Sequence, residues 1–393
     1  MSEINNGRNS FLPRGYSIED SQARKDWVKN FTGVEIDDTL ADDVEDLKGI
    51  IEHHVGSMKI PMAVVGPLNI NGTYANGDFI IPLCTLEGTL AASMNRGIYA
   101  STLSGGTTVR HFRQELSRAP VFIFDNIIES SEFQKWVTEN EAKIMEVAES
   151  TTKHGKVLRI DQITVQNYVV LDLVLDTNNA AGQNMVTLAA QVACEYIQAE
   201  TGHNYFLESN FNSDKKASGR NMLLGRGHAV HAETTITNRV LKRILKMDPD
   251  ILFDSWGFFP TVSSLAGTHG NGLHVSNAIT AIYLATGQDT ACAAENSIAH
   301  LGLEKQEDGI KFKLTLPSLT VGTVGGGTRL KMQNRNLELL GCAEGENSSR
   351  KLAEIIAAAT LALEISLICA IGSHTWNDAH RSEERRVGKE CRS

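Results

Sequence analysis

Between residues 355 and 372 the chain carries its longest apolar run, rich in alanine and interrupted by one carboxylate, Glu364. A run of this length becomes either the core helix of a large globule or a membrane span. The mid-run carboxylate and the alanines favour the buried helix. With 393 residues, 41% of them apolar, the chain has material to bury a large core and to form two or three domains.

Residues 1–6 are polar, without the basic start and apolar stretch of a secretion signal, which predicts no export. The six cysteines (Cys84, Cys194, Cys292, Cys342, Cys369 and Cys391) form no CxxC pair and no cluster at zinc spacing. They read as reduced thiols of a cytoplasmic protein, and no metal site is expected. A formal net charge of −10 argues against general nucleic-acid binding, so anionic ligands must be held by particular lysines and arginines.

In chain order, residues 1–50 form a polar N-terminal segment, expected to be helical. Residues 78–83 read as a short strand, and 85–97 as a tightly packed helix of small residues, with Glu87 at its start and Gly97 near its end. Strand signals at 121–124, 157–165, 167–176 and 205–208 alternate with helical stretches at 131–149 and 184–201. That order, βαββαβ, predicts a ferredoxin-like module at 119–212, inserted into a larger domain made of 51–118 and 213–380. The fold class is therefore α+β. Beyond the module, 233–246 and 276–286 read as helices, 311–316 as a half-buried strand, and 328–372 as mainly helical. Residues 381–393 are abruptly charged and do not continue the pattern before them, as a non-native tail would.

The stretch 213–221, Ser-Asp-Lys-Lys-Ala-Ser-Gly-Arg-Asn, has a composition that serves no core. Paired lysines after a strand are either a solvated turn or a device for holding an anion or oxyanion. Taken singly, Glu87 could favour a helix dipole, Asp289 a turn, and His380 the surface. The glycines of 322–328, between a strand and a helix, let backbone amides approach a phosphate or nicotinamide closely. No GxGxxG with a following acid is present, so a Rossmann domain is not supported. Residues 178–185 are either a plain tight turn or a second cofactor contact.

Taken together and in order, Gly66-Pro67-Leu68, Glu87-Gly88, Ser93-Met94-Asn95-Arg96-Gly97, Arg118-Ala119-Pro120, Ala181-Gly182-Gln183-Asn184-Met185, Asp214-Lys215-Lys216, His274 with Asn277, Gly287-Gln288-Asp289 and the 322–328 stretch resemble the 3-hydroxy-3-methylglutaryl-CoA (HMG-CoA) reductase family. The resemblance spans roughly residues 52 to 380. It implies a large acyl-CoA domain, a small NADP(H)-binding domain, and a homodimer or dimer of dimers with sites at subunit interfaces. It also implies two hydride transfers that convert the thioester to mevalonate and free CoA, with NADPH favoured over NADH, in isoprenoid precursor synthesis.

In that scheme Lys215 stabilises the oxyanion formed at the thioester carbonyl. Glu87 supplies it with a proton, a role that calls for burial or a nearby carboxylate such as Asp289. His380 protonates the leaving thiolate. Arg118, Asp214, Lys216, His274 and Asn277 would hold the acyl group, and Ser93, Asn95 and Arg96 would face CoA. Asn179, Gly182, Asn184, Met185, Val324, Gly325 and Gly326 would line the cofactor, with Thr152 and Lys153 at its 2′-phosphate. The chain departs from the family at Glu208, where a serine is usual, at Gly257, where a lysine is usual, and in the cofactor turn at Asn179, Ala181 and Gln183.

Overall fold

The structure is a computed structural model that describes Pro13, Gly15, residues 17–33 and residues 47–373. Helix α1 (Ile18–Thr32) starts at a capping box between Ser17 and Asp20 and stops at Gly33, whose φ of 76° suits glycine. Strands β1 (Met62–Asn71) and β2 (Asn76–Cys84), helix α2 (Leu90–Leu103) and strand β3 (Thr107–Arg118) follow. Next come β4 (Val121–Ile123), α3 (Ile127–Glu149), β5 (Lys156–Val165), β6 (Tyr168–Asp176), α4 (Gln183–Thr201) and β7 (Tyr205–Phe206). The chain returns through β8 (Gly227–Ile236), α5 (Val275–Thr286), β9 (His300–Gln306), β10 (Gly309–Leu319) and α6 (Ser348–Gly372). Shorter helices between these are named by their ranges.

β3 belongs to both halves of the sheet. Its residues 108–115 pair antiparallel with β8, and its last three, Leu116 to Arg118, pair antiparallel with β6. On one side the order continues β8–β10–β9, all antiparallel, while β1 joins β3 in parallel through Ile70 and Asn71. On the other side the order is β7–β4–β6–β5, with α3 and α4 packed together over it. Each half has its own apolar core. Phe122, Phe133, Ile144, Leu171, Ala190 and Ile197 belong to the smaller one.

The larger core is built around α6. Every residue from 352 to 370 is buried, so this helix, apolar and long enough to cross a membrane, is enclosed by protein instead. Its two buried carboxylates bond to backbone. Glu354 accepts from Thr73, Tyr74, Ala75 and His111 N–H groups, which ties the β1–β2 turn and β3 to the helix. Glu364 accepts from Leu273 and His274 at 2.7 Å each. α2 crosses α6 at Gly97, where an added Cβ would lie 1.7 Å from the Ala362 carbonyl oxygen.

Three expectations change. The 85–97 helix starts later, at Leu90, and continues past Gly97 to Leu103, which leaves Glu87 in the loop before it. Residues 233–236 complete β8 rather than starting a helix, and only Asn238–Arg243 is helical, capped by Thr237. The physical reason is pairing on both edges: Glu233 faces Thr108 on one side and Lys313 on the other. β3 itself was not expected, because Gln114, Ser117 and Arg118 are polar yet buried, which hides the strand's alternation.

Candidate active site

The lysine turn follows β7 and is held in an unusual backbone shape. Asn210, Ser213 and Lys215 all have φ between 52° and 67°, a region that side chains other than glycine seldom adopt. Hydrogen bonds over-determine it: Asn212 Nδ2 donates to the Ser117 carbonyl, Asn221 Nδ2 to the Ser213 carbonyl, and the Lys215 N–H to Glu295 Oε2 at 2.8 Å. The result aims Lys215 Nζ at Asp289 Oδ2, 2.8 Å away. Asp289 is itself oriented by the Ala291 N–H. The hydrogen bond that Lys215 donates to Asp289 outweighs partial burial and holds its ammonium above the ordinary lysine range.

Behind this pair lies a buried network. Arg226 and Glu295, both fully buried, pair at 2.9 Å. Arg226 also reaches Asp214 at 3.3 Å and donates to Gln183 Oε1 at 2.8 Å. Burial pushes the Glu295 carboxyl up, against the pull of Arg226. Arg118, at the end of β3, pairs with Glu208 and lies 3.7 Å from Asp214. Lys216 Nζ donates to the Asp214 carbonyl. Of these groups, Arg118, Asp214, Lys215, Lys216 and Asp289 were legible in sequence. Arg226, Glu295 and the linking role of Gln183 were not, although the Gly225-Arg226-Gly227 context of a charge between glycines was a usable signal.

The three expected cofactor stretches also converge. Thr323 N–H donates to the Asn179 carbonyl at 2.8 Å, and Ala180 and Val324 form a parallel bridge. Asn179 Oδ1 accepts from the Ser349 N–H and its Nδ2 donates to the Gly345 carbonyl, so this side chain fastens the turn to the large core. Gly182 starts α4 at φ 86°. A Cβ there would strike Thr177, and one at Gly155 would strike the Met185 sulfur, which places Met185 beside the 152–155 turn. Thr152 Oγ1 caps that turn by accepting from the His154 and Gly155 N–H groups. Lys153, Asn184 and Val324 are exposed, and the Cβ positions of Gly325 and Gly326 face open space. Gln183 follows directly, so the cofactor turn and the lysine turn are joined by one side chain.

Glu87 accepts from Asn277 Nδ2 at 3.2 Å, and Asn277 also lies 3.4 Å from His274 Nδ1. Glu87 is exposed in the single chain, so of the two conditions its expected role called for, burial or a nearby carboxylate, burial is not met there. A cavity of about 220 Å³ runs between Ala217 of the lysine turn and Leu273, Val275 and Ser276 at the start of α5. Ser93, Asn95 and Arg96 have other partners: Ser93 and Arg96 bond to Ser366 of α6, and Asn95 Oδ1 accepts from the Gly66 N–H. His380 lies outside the described residues. Among the described residues no group of three or more His, Cys, Asp or Glu side chains is placed to hold a metal ion.

A fixed ammonium lies beside a carboxylate here, next to a glycine-edged turn that leads into a separate core. The family model for hydroxymethylglutaryl-coenzyme A reductase matches residues 20–385. The chain is 38% identical to the 3-hydroxy-3-methylglutaryl-coenzyme A reductase of Methanocaldococcus jannaschii over 95% of its own length and 91% of the relative's. It is 36% identical to that of Haloferax volcanii, covering 92% and 91%. Its fold matches the class II 3-hydroxy-3-methylglutaryl-CoA reductase of Streptococcus pneumoniae bound to NADPH, with a TM-score of 0.68 at 20% identity, over 89% of this chain and 96% of that one. The chain belongs to the hydroxymethylglutaryl-coenzyme A reductase family. It is accordingly an oxidoreductase that acts on an acyl-CoA thioester with a nicotinamide cofactor.

Proposed function

We propose that this chain catalyses the four-electron reduction of HMG-CoA to mevalonate and CoA with NADPH, through the residues that converge at the lysine turn. The observation that carries the reading is the Lys215–Asp289 pair at 2.8 Å, joined through Gln183 and Asp214 to the cofactor turn. NADPH, when bound, supplies hydride to the thioester carbonyl and then to the aldehyde. The protein's part is charge and proton management.

Lys215 would sit at the carbonyl oxygen, its ammonium kept charged by Asp289. Glu87, held by Asn277, would deliver the proton to that oxygen, and His380 would protonate the departing thiolate. Arg118, Asp214, Lys216, His274 and Asn277 would hold the acyl group, and the cavity between Ala217 and Leu273 is where it would lie. Ser93, Asn95 and Arg96 would face CoA, with Ser93 and Arg96 braced by Ser366.

The cofactor site has the right character for a nucleotide. The 152–155 turn, Asn179, Gly182, Asn184, Met185 and the open Val324-Gly325-Gly326 backbone would line it, and exposed Lys153 offers a cation to the 2′-phosphate. The module 119–212, with strand order β7–β4–β6–β5 under two helices, would be a ferredoxin-like NADP(H)-binding domain, and 51–118 with 213–380 the acyl-CoA domain. A cytoplasmic homodimer or dimer of dimers completes the proposal, since a second copy could cover the exposed Glu87.

The test is NADPH consumption with HMG-CoA, run beside NADH and beside Lys215→Ala. Two NADPH oxidised per thioester are expected, with turnover falling about 10²–10³-fold in the variant while NADPH binding persists. Normal turnover in Lys215→Ala would remove the proposed oxyanion site.

A further inference from the structure

Arg118, its side chain only 11% exposed, lies beside the lysine turn, and it is already occupied. Its Nη1 pairs with Glu208 and lies 3.7 Å from Asp214, while Nη2 is 3.5 Å from Gln183 Oε1. Glu208 is positioned for this contact: the Asn210 N–H donates to its Oε1 at 2.7 Å, and Asn212 Nδ2 to its Oε2 at 3.3 Å. The pairing is through one guanidinium nitrogen only, and buried Arg118 Nε has no hydrogen-bond partner. A two-pronged fork would be harder to exchange. The Glu208 side chain is also 40% exposed, so it has solvent to move into.

The local charge points the same way. Arg118, Arg226 and Lys215 are matched by four carboxylates, Glu208, Asp214, Glu295 and Asp289. Another carboxylate arriving at Arg118 would meet two of these at close range, and like charges in a shielded site repel strongly. Lys216, which donates to a backbone carbonyl and pairs with no carboxylate among the described residues, is the remaining cation of the turn.

We infer that Glu208 acts as an internal stand-in for a substrate carboxylate: it holds Arg118 in the free enzyme and must be displaced before a carboxylate-ended acyl group can seat there. Glu208 is thus the residue that sets how far the site discriminates a carboxylate-ended from a neutral acyl-CoA. This rests on the assignment of Arg118 to the acyl group's carboxylate.

The experiment measures binding of HMG-CoA and of butyryl-CoA, which ends in a methyl group, by calorimetry without NADPH, for the wild-type chain, Glu208→Gln and Glu208→Ser. The glutamine variant keeps one of the two side-chain oxygens that the Asn210 and Asn212 groups hold. The dissociation constant for HMG-CoA should fall tenfold or more in both variants, while that for butyryl-CoA changes less than twofold. An HMG-CoA constant that is unchanged or larger in both variants, or a fall that is equal for the two thioesters, would overturn the inference. Because no turnover is read, a wild-type chain inactive toward HMG-CoA would count against the proposed reaction and leave this comparison intact.

Discussion

Lys215 combines a left-handed backbone with a side chain fastened to Asp289, and both depend on the buried Glu295 that receives its N–H. Arg226 is what makes a charged Glu295 tolerable there. Arg226→Met should therefore lower the unfolding free energy by about 3–5 kcal/mol, read from urea midpoints, because it leaves a buried carboxylate without its cation. A second buried acid behaves differently. Glu364 is fully buried with no cation partner among the described residues, and burial raises its pKa from the usual 4.5 to about 7, opposed by its two backbone hydrogen bonds. The native state thus holds a proton that the unfolded chain has released between those values, so stability is greatest below about pH 4.5 for this group and falls as pH rises toward 7, by up to about 1.4 kcal/mol per unit. Glu364→Gln should flatten that slope in a pH series of urea midpoints, and an unchanged slope would exclude Glu364 as its source. Of these residues the Asp-Lys-Lys turn, Asp289 and Glu364 could be singled out in the sequence, and Arg226 and Glu295 could not. Glu295 lies 80 residues from Lys215, and nothing local to either announces the contact.

At the scale of elements, α6 organises the large core and α2 crosses it at Gly97. Gly97→Ala would push a methyl group into the Ala362 carbonyl, and the helices must then separate. The expected loss is about 1–3 kcal/mol or more, measured as a fall in melting temperature, although alanine has the higher intrinsic helix propensity. The buried helix was legible as an apolar run, and the module's strands and helices from their periodicities. β3 and β8 were not, for related reasons. β3 buries polar groups because it leads into the site, and the Thr-rich end of β8 becomes extended only when two neighbouring strands claim its edges.

For the whole molecule, β3 carries the connection between two cores, and Arg118 at its end pairs with Glu208 and lies 3.7 Å from Asp214 of the lysine turn. Glu87 being exposed in one chain fits a site completed by assembly. Sedimentation should show two or four chains per particle, and dilution that dissociates them should abolish NADPH oxidation; an active single chain would exclude an interfacial site. The sequence by itself determined the inserted βαββαβ order, the enclosed apolar helix and the position of the Asp-Lys-Lys turn, because composition and periodicity are properties of neighbouring residues. Only the tertiary structure decided that Arg226 and Glu295 underlie Lys215, that Gln183 bonds to Asp214 and Arg226, and that Glu208 occupies Arg118. Those pairings bring together groups as much as 90 residues apart, and they depend on where each strand ends and on which charges burial forces to find partners.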